Sequence, residues 1–182
     1  MDGFFLLNKE KGITSNQLVQ NIKKSLKFKK VGHLGTLDPM ATGLMVIAAN
    51  RATKFSSYFL ESDKSYHATV KLGCSTDTDD ALGKIIETSD NLPTEEHTHK
   101  VLNSFVGQSL QMAPFYSALK HKGKPLYKYA REGDFILKPP REINVFSIKD
   151  FNFDHDECSF LIHCSKGTYI RSIARDLGEK LG

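Results

Sequence analysis

The stretch INVFSIKDFNF (residues 143–153) and the stretch SFLIHC (residues 159–164) decide the fold class of this chain. Both are rich in Ile, Val and Phe, which favour β-strands. Only five residues separate them. A connection of that length joins antiparallel neighbours, whereas parallel strands need a longer crossover. The sequence therefore predicts an antiparallel strand pair in this region.

Segments on both sides of this pair predict further elements. Apolar runs at 4–7 and 44–49 indicate buried strands, the alternation over 66–72 indicates a half-buried strand, and 84–87 its returning partner. Helices are expected at 52–60, 93–105 and 125–131. Two more helices carry apolar residues at helical spacing. They are Leu18, Val19, Ile22 and Leu26 after the caps Thr14 and Ser15, and Ile170, Ile173, Ala174, Leu177 and Leu181 after the cap Thr168.

The order of these elements predicts the fold class. Strands and helices are interleaved irregularly, and several strand pairs have hairpin-length connections. This pattern favours an α+β fold, with a mixed, mainly antiparallel sheet flanked by helices, over a doubly wound fold. Since no repeat, low-complexity tract or linker interrupts the chain, the sequence predicts one compact domain.

Composition limits the class of protein. The 182 residues are 40% hydrophobic and 25% charged, which excludes a disordered, collagen-like or coiled-coil chain. The longest uncharged apolar run, 43–49, is too short to span a bilayer, and Asp2 stands where a signal peptide needs basic residues. Three cysteines without a CxxC pair fit a reducing compartment. We therefore expect a cytoplasmic protein.

Basic residues are concentrated in two clusters. The chain has 25 Lys and Arg against 21 Asp and Glu, a net charge of +4. A single basic cluster is most often a solvated face, but two clusters, one of them interleaved with aromatic residues, favour a phosphate backbone as the partner. The first cluster consists of Lys23, Lys24, Lys27, Lys29 and Lys30, and the second of Lys120, Lys122, Lys124, Lys128 and Arg131, with His121, Tyr127 and Tyr129 among them.

Nucleotide-binding and metal-binding motifs are absent from the sequence. No P-loop and no dinucleotide fingerprint occurs. The segment 77–80 resembles the start of a calcium loop, but Leu82 and Thr88 stand where that loop needs Gly and Glu. His97 and His99 lie two apart on a predicted helix and so point to different faces. The sequence predicts no metal site.

The loop VGHLGTLDPMATG (residues 31–43) is the first candidate for chemistry. Its three glycines let the backbone approach a ligand, and Pro39 blocks a helix at Asp38. Thr36, His33 and Asp38 supply polar groups. The same pattern is compatible with a structural interpretation, in which Asp38 caps a turn and His33 is a half-buried histidine with satisfied hydrogen bonds.

The segment SKGTYIR (residues 165–171) is the second candidate. With Thr168 as the N-cap of the last helix, Tyr169 and Arg171 lie in the first turn, close to the end of a strand. Arg171 lies off the apolar stripe. A solvated surface arginine is the alternative interpretation, because helical arginines usually face water.

Five segments together resemble one known family. They are GFFLLNKEKGITSN (3–16), GHLGTLDPMATGLM (32–45), KSYHATVKLGCSTDTDDALG (64–83), YSALKHKGKPLYKYAREG (116–133) and HCSKGTYIRSIARDLGEKLG (163–182). In order and spacing they resemble the bacterial tRNA pseudouridine synthase B (TruB) family. One departure is Lys9-Glu10, where the family has Lys-Pro. The resemblance implies that residues 1–182 are the catalytic domain, without its last segment and without the family's C-terminal RNA-binding domain.

This resemblance implies roles at the target base. The family isomerises a uridine in the T-loop of tRNA to pseudouridine in a central RNA-binding cleft, without a cofactor, after the base has left its stack. Asp38 matches the catalytic aspartate, as a nucleophile or a charged stabiliser. Arg171 would keep Asp38 ionised as its partner. Tyr66 would stack on the flipped base, and Tyr169 would line the uracil pocket.

The resemblance also implies residues that hold the RNA. His33 would wedge into or brace the opened loop, and Lys9 would hold a phosphate. The remaining phosphate ligands would be Lys120, Lys122, Lys124 and Lys128. The expected partner is the T stem-loop of tRNA, with no membrane, no protein partner and a monomeric chain.

Two other functions stay open at this point. The first is a non-catalytic tRNA-binding or tRNA-folding module that uses the same cleft. The intact set of Asp38, Arg171 and Tyr66 weighs against it. The second is a phosphotransferase with an aspartate nucleophile, and the lack of another carboxylate near Asp38 to hold magnesium weighs against that.

Overall fold

The computed structural model describes residues 1–182, which form two compact units, Met1–Ser62 and Asp63–Gly182. The sequence predicts one compact domain instead. The difference arises because the strands form separate sheets, and the larger apolar clusters of the two units contain different residues.

Unit 1 is a three-stranded antiparallel sheet with short helices. Its sheet has the order β1-β3-β2. The elements in chain order are β1 (Gly3–Lys9), α1 (Ser15–Ser25), β2 (Val31–His33), β3 (Gly43–Ala49), a 3₁₀ helix (Asn50–Phe55) and α2 (Ser56–Leu60). The predicted helix at 52–60 is thus divided between a 3₁₀ helix and α2, and the predicted loop 31–43 begins with the short strand β2.

Local sequence signals explain the start of α1. The Thr14 side chain accepts a hydrogen bond from the backbone N–H of Gln17, and the Gln17 side chain accepts one from the N–H of Thr14. This reciprocal capping box stabilises the first turn. Val19 on the inner face of α1 then packs against Met45 and Ile47 of β3. The predicted helix is confirmed.

The prediction of a buried strand at 4–7 is wrong in one respect. A strand is present, but its residues alternate, and Phe4 and Leu6 are 41% and 69% exposed. Both lie on the outer face of the sheet, since successive side chains of a strand point to opposite faces. An apolar run cannot reveal that only one of its two faces is covered.

Unit 2 is a four-stranded antiparallel sheet with two helices packed on it and two small hairpins. The sheet has the order β4-β11-β10-β7. The elements in chain order are β4 (Lys64–Lys71), β5 (Cys74–Thr76), β6 (Ile85–Thr88), α3 (Glu95–Asn103), β7 (Gly107–Gln111), β8 (Lys120–His121), β9 (Lys124–Pro125), α4 (Leu126–Arg131), β10 (Arg141–Asp154), β11 (Glu157–Cys164) and α5 (Ile170–Leu181).

The strand pair predicted at 143–164 is the centre of this sheet. β10 and β11 pair antiparallel around a tight connection, and Phe160, Ile162 and Cys164 on β11 are fully buried. Ile173 and Leu177 of α5 and Leu102 of α3 cover them. The α+β class with mainly antiparallel sheets is confirmed. The edge strand β7 was not predicted, since GQSLQ has little apolar content.

The start of α5 differs from the prediction. Tyr169, not Thr168, is the N-cap residue, and no side chain caps this helix. The Thr168 hydroxyl instead donates to the carbonyl oxygen of Ser165 at 2.9 Å. Tyr169 therefore lies at the junction of the turn and the helix. No helix of the chain is both long and apolar enough to cross a membrane.

Candidate functional site

In unit 1, Asp38 lies on a loop that is fixed by backbone contacts. The loop follows β2, and Asp38 is half-buried. Its carbonyl oxygen accepts a hydrogen bond from the N–H of Ala41 at 3.0 Å. The buried Ser15 hydroxyl accepts from the N–H of Leu37 at 3.0 Å and donates to the Leu37 carbonyl at 2.9 Å. The residue before Asp38 is thus tied to the first residue of α1.

Lys9 ties down the other side of this loop. Its ammonium group donates to the carbonyl oxygens of Glu10 at 3.0 Å, Ile13 at 2.8 Å and Pro39 at 3.2 Å. The side chain is fully buried. Burial lowers the pKa of Lys9, and the negative charge of Asp38 opposes this change. The Asp38 carboxylate is thus near enough to act electrostatically on the Lys9 ammonium group.

The expected role of Lys9 as a phosphate ligand does not fit this geometry. An ammonium group has three donors, and all three point at carbonyl oxygens of the chain. With no exposed surface, the group cannot meet a phosphate without breaking these contacts. The phosphate role is implied by the family resemblance alone, which carries no information on the burial of this side chain. Here Lys9 holds the turn 10–13 against the loop that carries Asp38.

His33 ends β2 at the start of the same loop. It pairs with Ile47 of β3, and its Nδ1 lies 2.8 Å from the carbonyl oxygen of Gly35. A carbonyl only accepts, so Nδ1 carries the proton in this contact. The imidazole is half-buried. The contact with Gly35 fixes the orientation of the ring.

In unit 2, Tyr66 lies on the core-facing side of β4. It is directly opposite Ile162 of β11 and packs, half-buried, against the apolar cluster. Ala68 and Val70 follow on the same face and are buried. Tyr66 thus lies at the edge of the apolar face of the sheet, and its ring packs against the core.

Tyr169 is held by residues that the sequence did not single out. Gln111, which is 2% exposed, accepts from the N–H of Tyr169 at 2.8 Å and donates to its carbonyl at 3.1 Å. The Arg141 guanidinium lies over the Tyr169 ring, 4.6 Å from its centroid. Neither residue belongs to a sequence motif. Their contacts with Tyr169 become visible only in the folded structure, where β7 and β10 pair and place Gln111 opposite Arg141.

Arg171 is a half-buried residue of unit 2 rather than a solvated arginine. Its side chain is 11% exposed, and it donates to the carbonyl oxygens of Thr78 at 3.0 Å and Tyr116 at 2.9 Å. The carboxylate of Asp80 lies 3.9 Å away. The alternative of a surface arginine is wrong. One guanidinium connects the 77–83 loop, the 112–117 loop and the first turn of α5.

The acidic 77–83 loop is itself well ordered by side chains. Asp77 accepts from the N–H of Lys84 at 2.8 Å, and Asp80 accepts from the N–H of Leu82 at 2.9 Å. Arg175, one turn after Arg171, bonds Asp79 at 3.2 Å. Burial raises the pKa of Asp79, although Arg175 and Arg171 both oppose this effect. Asp79 and Asp80 therefore face arginines of α5, while Asp77 holds the backbone of its own loop. No group of three or more His, Cys, Asp or Glu residues is placed to hold a metal ion.

The second basic cluster lies on the β8–β9 hairpin and α4. Lys120, Lys122 and Lys128 are exposed. Lys124 differs, because its ammonium forms an ion pair with Glu132 and lies 4.4 Å from the centroid of the Tyr129 ring. Three of the four phosphate ligands predicted in this cluster are thus presented to solvent, while Lys124 already has a carboxylate partner.

Known proteins resemble the chain over its whole length. Residues 23–170 match the model of the TruB family pseudouridylate synthase, N-terminal domain. The tRNA pseudouridine synthase B of Francisella philomiragia is 48% identical over all of this chain and 61% of its own length. The protein of the same name from Shewanella pealeana is 47% identical, with 58% of its length covered. The chain thus spans about three fifths of these relatives.

Two solved structures share the fold. A chain of a Cbf5-Nop10-Gar1 complex superposes with a TM-score of 0.74 and 29% identity, over 99% of this chain and 44% of that one. A chain of an H/ACA RNP bound to a substrate RNA containing 2′-deoxyuridine superposes with a TM-score of 0.72 and 26% identity, over 99% and 43%.

Proposed function

This chain belongs to the TruB family of pseudouridylate synthases, and on that basis we propose that it isomerises a uridine of tRNA to pseudouridine. The C1′–N1 bond of the nucleotide breaks, the base rotates, and a C1′–C5 bond forms. The proton on C5 is released to solvent, and N1 gains one. The reaction is balanced without an oxidant, a reductant or ATP. Residues 1–182 are the proposed catalytic domain.

Asp38 is the proposed catalytic residue. A carboxylate there serves as the nucleophile or stabilises the positive charge that develops on the ribose when the bond to N1 breaks. The observation that carries the proposal is the anchoring of its loop at Leu37 by Ser15 and at Pro39 by Lys9. A carboxylate flanked on both sides by such contacts is preorganised, so little reorganisation is needed during the reaction.

The other site residues handle the base and the RNA. Tyr66 and Tyr169 contact the extruded uracil through their rings, since stacking replaces the neighbours that the base loses on leaving the helix. Arg171 supports the reaction electrostatically. His33 braces the opened loop, and the exposed lysines 120, 122 and 128 bind phosphates, with Lys124 contributing when Glu132 releases it.

The proposed substrate is the T stem-loop of tRNA, bound by one copy of the chain. The relatives carry tRNA in their names. A tRNA substrate also agrees with the cytoplasmic location predicted from the sequence. Light scattering of the chain with and without a stem-loop RNA measures the proposed one-to-one stoichiometry.

Tritium release tests the activity directly. A T stem-loop RNA carrying tritium at C5 of uridine loses the label to water only if that position is substituted, and mass spectrometry after nuclease digestion locates the product. We expect release with the wild-type chain and none with Asp38→Asn, which is nearly isosteric but lacks the charge. RNA affinity should stay within a few-fold.

Asp90→Asn is the matched control, because Asp90 is exposed in unit 2 and the change in charge is the same. It should release tritium at the wild-type rate. If Asp38→Asn kept a tenth of wild-type turnover, Asp38 would be structural. RNA binding by the wild-type chain without any product would favour the non-catalytic module.

A further inference from the structure

Two residues on neighbouring strands hold Tyr169 from two sides. Arg141, the first residue of β10, lies directly opposite Gln111, the last residue of β7. Opposite residues of an antiparallel pair project to the same face of the sheet. Gln111 bonds both backbone groups of Tyr169, while Arg141 covers its ring. The pair thus fixes both the backbone and the side chain of one residue.

Arg141 also fixes the turn that precedes Tyr169. Its Nη2 donates to the carbonyl oxygen of Gly167. Gly167 has a φ of +77°, and a Cβ there would lie 3.3 Å from Nη1 of Arg141. Glycine therefore leaves the space that the guanidinium occupies. Through this bond and the ring contact, one side chain connects the turn to the aromatic ring.

Placing the Arg141 guanidinium over the ring leaves one of its donors unpaired. The Nε of Arg141 is buried and has no hydrogen-bond partner, and an unpaired buried donor is unfavourable. An aliphatic side chain would cover the ring without that penalty. What it could not supply is the attraction between a cation and the face of the ring, which favours one placement of the ring.

We propose that Arg141 is a positioning residue for Tyr169, holding its ring in the orientation that the base contact needs. The proposal rests on the function proposed above, because that function assigns the base contact to Tyr169. A misplacement of about 1 Å at a reacting centre can cost about a hundredfold in rate. We expect Arg141→Met to slow pseudouridine formation at saturating RNA by about 10- to 100-fold. The RNA concentration for half-maximal rate should change little.

A double-mutant cycle tests whether Arg141 acts through the ring. Single-turnover rates are measured for Arg141→Met, Tyr169→Leu and the double variant. If Arg141 works only through Tyr169, the double variant is as slow as Tyr169→Leu and no slower. Multiplying losses would overturn the proposal. Lys180→Met is the matched control, since it removes a cation 4.4 Å from the Phe105 ring in the same unit and should leave the rate unchanged.

A spectroscopic measurement does not depend on activity. In ring-labelled ¹³C-tyrosine protein, the Tyr169 signal is identified by its absence in Tyr169→Phe. It should shift in Arg141→Met and stay in place in Lys180→Met. An unshifted signal would overturn the proposal.

Two outcomes need their own interpretation: an inactive wild-type chain and an Arg141→Met variant that does not fold. If the wild-type chain forms no pseudouridine, the proposed function fails, while the ring signal still decides whether Arg141 orients Tyr169. If Arg141→Met does not fold, Arg141→Lys takes its place in the cycle. Lysine keeps a charge over the ring but cannot also reach the Gly167 carbonyl with a fork of donors. The same non-additivity is then expected, and multiplying losses would again refute the role.

Discussion

The ammonium group of Lys9 donates a hydrogen bond of 3.2 Å to the carbonyl oxygen of Pro39, the residue that follows Asp38. Lys9 and Pro39 are 30 positions apart in the sequence. The contact links the end of β1 to the loop that carries the proposed catalytic carboxylate. In this structure Lys9 thus bonds the protein's own backbone.

Lys9→Met should destabilise unit 1 without removing an RNA contact. The substitution leaves three carbonyl oxygens without their charged donor, and we expect a loss of roughly 2–4 kcal/mol in the free energy of unfolding. Urea titration measures it. The salt dependence of RNA binding should be unchanged under conditions where the variant is folded. The control is Lys11→Met, since Lys11 is exposed. A reduced salt slope for Lys9→Met would reinstate the phosphate role.

The lysines of the β8–β9 hairpin and α4 should differ in their effect on RNA binding. Removal of one phosphate-binding cation lowers the log–log salt slope by about 0.9 on duplex or about 0.7 on single-stranded RNA. Lys120→Ala, Lys122→Ala and Lys128→Ala should each lower it. Lys124→Ala should change it less, because Lys124 already pairs with Glu132. Filter binding at several salt concentrations gives the slopes, and equal slopes for all four variants and wild type would place this surface away from the RNA.

Arg171→Lys should be costly although it keeps the charge. The guanidinium reaches two carbonyl oxygens on different loops, and a single ammonium cannot span both. We expect single-turnover rates to fall by about ten- to a thousandfold, equivalent to about 1.4–4 kcal/mol, with RNA affinity less affected. Arg175→Lys, on the next turn of α5, should lower the single-turnover rate much less, since the main contacts of Arg175 are carboxylates. Equal rates for Arg171→Lys and wild type would contradict the supporting role.

Cys158 should make stability fall at high pH. Burial raises the pKa of its thiol to about 11, from an ordinary value of 9.0. Between these values the folded state binds more protons than the unfolded state, so the stabilisation is complete below pH 9 and is lost as pH rises toward 11. The difference in unfolding free energy between wild type and Cys158→Ala should therefore shrink by up to about 3 kcal/mol over this range.

Denaturant unfolding measures this difference at about pH 8.5 and about pH 10.5, on either side of the ordinary thiol pKa. Ionisable groups that both proteins share cancel in the difference. Cys74→Ala is the control, because Cys74 is only half-buried. A difference that stays constant with pH would mean that the Cys158 thiol ionises as easily in the folded state as in the unfolded chain.

Patterns along the sequence were sufficient for most of the elements and for the position of the Asp38 loop, but not for the edge strand β7. The capping residue Thr14 and the apolar stripe of α5 are local signals, and both helices are present. The strands at 143–164 follow from β-forming residues and a short connection. Such signals work because helix caps and strand pairing depend on residues a few positions apart.

Only the tertiary structure decided what several side chains do. The motifs identify Lys9 and Arg171 as cations within them, and Arg141 lies outside every motif, but a cation's role depends on which groups surround it. Lys9 meets a carbonyl 30 positions away, Arg171 meets one 93 positions away, and Arg141 of β10 meets the ring of Tyr169, the N-cap residue of α5. These contacts arise when distant segments pack together. A buried charge is unfavourable unless it has a hydrogen-bond partner, and the residues near it in sequence do not show which partner it has.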